Sequence, residues 1–247
     1  MIDQPADHDR VERSEDSDAA TEPSAADLIG AALGGAARRA GLAPDGGEST
    51  QKVVWTAMGG WRGILESVLP SLAFVVLFTL RPDPLVLSLG VSVGLAAVFT
   101  VVRLAQKSPP SAALGGLVAA GAAAALALWT GRGADNFVPG LITNAVYGTA
   151  MIVSALVGWS LIGLAAGFLL GEGTAWRSDR RQRRAFFWLG IAWGVLFLAR
   201  LAVQLPLYLT EQVTLLGTLK LVMGLPLFAP MVAVTWLVVR ALRPRSK

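Results

Sequence analysis

The strongest constraint on this chain is a series of apolar runs about as long as a bilayer is thick. Hydrocarbon is about 30 Å deep, so at about 1.5 Å per residue a helix needs about 20 apolar residues to cross it. Six stretches meet that length: 62–80, 84–104, 111–130, a long run from Phe137 to Leu170, 186–209 and 216–239. Lipid offers the backbone no hydrogen bonds, so such runs are helical. Composition agrees, with 54% of residues hydrophobic and 15% charged, where a soluble domain carries about 25% charged residues. The expected fold is all-α: a polytopic transmembrane helix bundle of six spans.

The fourth run is too long for one crossing and too short for two. Gly158-Trp159-Ser160 is its natural break. That leaves 161–171 as a short interfacial or half-inserted helix of about 16 Å. Loop charges support this count, because Lys and Arg collect on the cytoplasmic side. With the N-terminus inside, the inner segments carry Lys52 and Arg62, then Arg103 and Lys107, then Arg177, Arg180, Arg181, Arg183 and Arg184, and finally Arg240, Arg243, Arg245 and Lys247. The outer loops carry only Arg81 and Arg132. A crossing at 161–171 would export one of the most basic segments. The expected location is therefore a bacterial cytoplasmic (inner) membrane, multi-pass, with both termini cytoplasmic.

Ahead of the spans lies an acidic segment. Residues 1–51 have a net charge of −7 and the remainder +11. The first 24 residues hold almost no large apolar side chains and read as a disordered tail, without the apolar core of a signal peptide. Residues 25–40 have the pattern of a short helix, and 41–52 read as a linker. The expected organisation is a cytoplasmic tail and linker at 1–51, a membrane domain at 52–242 and a basic C-terminal tail at 243–247. The high isoelectric point thus reflects basic loops, not a nucleic-acid surface.

Polar side chains within spans mark candidate sites, since burying them in lipid is costly. Arg200 lies near the middle of the fifth run, with Gln204 and Tyr208 following at four-residue spacing on the same face. Lys220 lies two turns into the sixth. The tight 210–215 connection makes these helices antiparallel neighbours, so Arg200 and Lys220 are expected within one cavity. Two readings stand: a site for a lipid phosphate or small anion, or cations that snorkel outward or are neutralised by Glu211. Asn144 and Tyr147 in the fourth run are candidates for hydrogen bonds across the bundle.

Small residues four apart, Gly90 with Gly94 and Gly163 with Gly167 and Gly171, have the spacing of close helix packing. Pro70, Pro206, Pro226 and Pro230 fall within spans and are expected to free carbonyls there. The loop 171–184 combines Trp176 with Arg177, Arg180, Arg181, Arg183 and Arg184. It reads either as topology charges with an aromatic anchor or as a loop binding anionic headgroups or a protein partner.

Catalytic signatures are missing. There is no Cys and one His, His8, in the tail. This excludes disulfides and Cys/His zinc sites. No phosphate-binding loop, metalloprotease motif or nucleophile elbow occurs. The chain is expected not to be an enzyme, with no catalytic residue, metal or cofactor.

GGWRGILESVLPSLAF at 59–74, TGRGADNFVPGLITNAVYG at 130–148, GEGTAWRSD at 171–179 and ARLAVQLPLYL at 199–209 resemble an actinobacterial integral-membrane family, domain of unknown function 3159. The resemblance covers about 55–242 and implies a polytopic membrane protein with no assigned activity. LPSLAFVVLF, the arginine ending the second run, AWGVLFLARLAV and the surroundings of Lys220 bear a weaker resemblance to the intracellular septation protein A family. That resemblance implies envelope maintenance and septation through protein contacts. Two functions are therefore expected. The first is a non-enzymatic envelope or septation scaffold with envelope or division proteins as partners. The other is a transporter or flippase for an anionic small molecule or lipid using Arg200 and Lys220.

Overall fold

The structure is a computed structural model that describes residues 55, 60–106 and 110–242. The acidic tail, the helix expected at 25–40, the linker, Lys52, Lys107 and the basic end at 243–247 lie outside the described residues. Among the described residues, eight α-helices follow in order: α1 (Gly60–Leu80), α2 (Leu85–Ala105), α3 (Pro110–Thr130), α4 (Val138–Leu156), α5 (Leu161–Leu169), α6 (Arg180–Leu209), α7 (Val213–Val222) and α8 (Leu225–Leu242). A 3-10 turn, Gly133–Phe137, leads into α4. No strand occurs among the described residues.

Five segments are long and apolar enough to cross a membrane: Gly63–Leu80, Leu85–Ala105, Gly133–Leu156, Arg180–Leu209 and Val213–Leu242. The chain is a multi-pass membrane protein. The run expected at 111–130 is helical over Pro110–Thr130, 21 residues, with Leu114–Thr130 as its apolar part. Side chains on the outside are apolar, as lipid requires: Val101 is 64% exposed and Val118 68%.

The break at 158–160 falls where expected. Gly158 takes a positive φ of 81°, and the Ser160 hydroxyl donates to the Phe186 carbonyl at 2.8 Å. The nine residues of α5 reach about 13 Å, too short to cross. The fifth run starts earlier than 186, because the Asp179 carboxylate accepts from the Arg181 amide at 2.7 Å and caps the helix from Arg180.

The sixth run is not one helix. It breaks at Met223–Gly224, and Pro226, within the span as expected, sits at the second position of α8. Pro lacks the N–H an internal turn needs but is tolerated in a first turn, so the helix restarts there. Mean hydropathy over Val213–Leu242 stays high despite the break, which is why composition hides it.

Glycine spacing also resolves differently. A Cβ on Gly90 or Gly94 would meet nothing within 4 Å. The close seam is α4 against α6: a Cβ on Gly148 would lie 2.8 Å from Leu198, and one on Gly194 would overlap Ile152. Gly163 and Gly167 face a loop instead of a helix, since Trp176 lies 2.7 Å from a Cβ built on Gly163.

Two apolar cores form at opposite ends of the bundle. Phe74, Leu89, Ala127, Phe137, Val213 and Leu216 pack where the loops 81–84, 131–137 and 210–212 lie. Ala166, Trp176, Phe186, Leu189 and Val239 pack at the arginine-rich end. Between them the contacts are more polar: Ser92 donates to the Pro70 carbonyl at 2.8 Å, joining α2 to α1, and Trp193 Nε1 donates to Thr235 at 2.9 Å, joining α6 to α8.

Candidate functional site

Between the two cores a cleft of about 400 Å³ opens among α1, α2, α3, the start of α4 and α7. Its first wall is α1, which contributes Glu66, Ser67, Pro70 and Ser71. Pro70 lacks the N–H that an internal turn of α1 would use. From α2 come Ser92, Thr100 and Arg103. The facing wall is the Gly/Ala surface of α3, at Gly116, Ala119, Ala120 and Ala123. Short side chains there leave the space open.

Two charged features mark the cleft. At the arginine-rich end Arg103 Nε lies 3.4 Å from Glu66 Oε2, and that pair closes one side. Deeper in, Lys220 lines the cleft from α7, one turn before the helix break. Lys220 is half-buried and its Nζ lies 5.1 Å from the centre of the Phe137 ring. It has no hydrogen bond or carboxylate partner among the described residues. Ser71 and Asn136 also line the cleft and make no side-chain hydrogen bond among the described residues. The result is one cation and two neutral donors facing a polar space, a set that suits an anion.

Glu211 does not neutralise Lys220. Its carboxylate pairs with Arg132 Nε at 2.9 Å, outside the cleft. That exposed pair fixes a rim and adds little stability.

The remaining polar residues of α6 form a second row. Gln204 is 4% exposed and accepts from Asn144 Nδ2 at 3.3 Å. Its own Nε2 is buried without a partner, as is Nε of Arg200 one turn away. Arg200 is half-buried and does not line the cleft, so it and Lys220 do not share that cavity. Tyr208 donates to Asp135 Oδ1 at 2.7 Å, and Arg132 stands 5.7 Å from the tyrosine ring. Tyr147 is separate from Asn144: it is 51% exposed and stacks on Phe197 at 5.8 Å.

Sequence reading passed over Asp135, Asn136, Ser71 and Ser92. Asp135 and Asn136 sit in the connection before α4, where a polar pair reads as loop. The serines follow no span-wide spacing. They converge only because α1 and α2 form a hairpin through residues 81–84.

At the arginine-rich end the loop 171–179 folds back on α5. Trp176, expected as an aromatic anchor at the interface, is instead 2% exposed and meets Phe186 edge-on at 5.3 Å. The glycines of α5 leave the flat surface the indole needs. The Arg177 guanidinium lies 3.7 Å over the Trp159 ring. Arg180, Arg181, Arg183 and Arg184 occupy the first turns of α6.

Among known proteins, residues 58–246 match a family model described as "Protein of unknown function (DUF3159)". No curated protein and no solved structure matches the chain.

Proposed function

We propose, for a chain that belongs to the DUF3159 family, that it binds an anionic ligand in the Lys220 cleft and carries it across the bilayer. The carrying observation is Lys220: a half-buried cation with no acid partner among the described residues, lining a polar cleft within the membrane-crossing region. A cation in mid-bilayer costs about 3 kcal/mol on insertion scales. A phosphate or carboxylate offsets that penalty, and Ser71 and Asn136 supply further donors. The interrupted α7–α8 run favours transport over static binding, since broken helices at mid-membrane sites are a transporter feature. The arginine-rich end faces the cytoplasm of a bacterial inner membrane, following the charge bias of the loops. The protein is not an enzyme in this reading.

The envelope-scaffold expectation rests on the charged inner loops, the acidic tail, the absence of catalytic spacing and the weaker family resemblance; the tail lies outside the described residues. The Lys220 cleft supports the ligand-handling reading.

The shared ligand chemistry is an oxyanion, carried either by a lipid headgroup or by a small molecule. Proteoliposomes containing the full chain separate the two. Dye-labelled phosphatidylglycerol with an external quencher follows lipid flipping, and inorganic phosphate uptake follows a small anion. One signal should exceed that of empty vesicles and fall at least tenfold in Lys220→Met, with partial retention in Lys220→Arg. No signal in either arm, or an unchanged Lys220→Met, overturns the reading.

A further inference from the structure

At the arginine-rich end a second space, an open crevice of about 1090 Å³, lies between the last turn of α4 and the first turns of α6. Arg180, Arg181, Arg183 and Arg184 line it. None of these guanidiniums has a carboxylate partner among the described residues. They stand at a helix N-terminus, where the backbone dipole is itself positive, and the four cations outweigh the one carboxylate there, the Asp179 cap. Trp176, almost fully buried, also lines the crevice, and its indole N–H has no acceptor.

The opposite side is apolar. Leu156 is 66% exposed and Trp188 59%, with Phe187 beside them. These continue into the outward surface of the two helices at Val153 and Val195. A soluble phosphate would meet the arginines but leave that wall empty. An acidic peptide would meet the same arginines with no use for a surface running into lipid.

We infer that this crevice seats the phosphate headgroup of an anionic phospholipid from the adjoining leaflet, with its acyl chains along Leu156, Phe187 and Trp188. Guanidinium forks grip phosphate oxygens two at a time. The crevice is separate from the Lys220 cleft, and the inference stands whether or not that cleft transports anything.

The full chain, purified in neutral detergent, is titrated with phosphatidylglycerol, phosphatidylcholine or glycerol 3-phosphate while the thermal midpoint is followed. A ligand that binds only the folded state raises that midpoint. Phosphatidylglycerol should raise it by several degrees and the other two should not. The double variant Arg183→Gln, Arg184→Gln should weaken the apparent affinity about tenfold or more. Arg240→Gln, an exposed arginine on α8, should leave it unchanged. Equal response to both lipids, a full shift with glycerol 3-phosphate alone, or undiminished affinity in the double variant overturns the inference. So does an equal loss in Arg240→Gln, which would mean diffuse charge. If the double variant does not fold, the three-ligand series on the unaltered chain decides.

Discussion

The Tyr208 hydroxyl donates to the Asp135 carboxylate over 2.7 Å, tying the far end of α6 to the 3-10 turn that starts α4. Asp135 is 4% exposed. Tyr208→Phe removes the phenol donor from a buried carboxylate, so a loss of about 1.5–3 kcal/mol in folding stability is expected. Thermal unfolding in detergent reads it; an unchanged midpoint means water replaces the phenol at no cost.

Lys220→Met should raise stability without ligand. The substitution removes a charge that the protein holds away from water with no acid partner among the described residues, and apolar replacement of poorly compensated buried charge is often stabilising by about 1–4 kcal/mol. A higher midpoint alongside lost ligand response separates a functional lysine from a structural one. A lower midpoint would make Lys220 a structural residue.

The α4–α6 seam should be intolerant where α2 is tolerant. Gly194→Val drives a side chain into Ile152 and should cost about 1–3 kcal/mol or more. Gly90→Ala enters open space and, by helix propensity alone, should be neutral or stabilising by up to about 1 kcal/mol. Size-exclusion profiles of the two variants, compared for the monodisperse fraction, check the contrast.

Trp176→Ala should release the loop 171–179 from α5, with a loss of about 3–5 kcal/mol. Trypsin then cuts at Arg177, whose guanidinium is packed on Trp159 in the intact protein. Trp176→Phe should retain most of the protection. Equal digestion of all three proteins would contradict the packing.

Orientation is open to a direct labelling test, because the chain has no Cys of its own. Ser178 and Thr210 are exposed at opposite ends. In whole cells a membrane-impermeant maleimide should label Thr210→Cys and reach Ser178→Cys only after permeabilisation. The reverse pattern inverts the proposed topology.

The membrane class, the break at Gly158 and the non-crossing α5 are written in hydropathy and helix length, which act residue by residue. Lys220 stands out by sequence for the same reason: one charge in an apolar run needs no partner to be noticed. The interruption at Met223–Gly224 does not, because Leu225, Leu227 and Phe228 keep the mean hydropathy high around Pro226, which changes the hydrogen bonding. The cleft was illegible for a different reason. Ser71, Ser92 and Asn136 become neighbours only through tertiary packing, and each alone is an ordinary polar residue in a helix or connection. The four-residue glycine spacing misled because it records where a surface is flat, not what lies on it. At Gly163 and Gly167 the answer is an indole.

Both rims of the bundle are clamped by their own cores, one around Phe74 and Leu216, the other around Trp176 and Phe186. Between them α7 is pinned as well, since the Thr79 and Thr214 hydroxyls lie 2.9 Å apart and a Cβ on Gly217 would overlap Val75. The cut at Met223–Gly224 thus separates a half-span locked onto α1 from one that packs on α6 through Trp193 and Thr235.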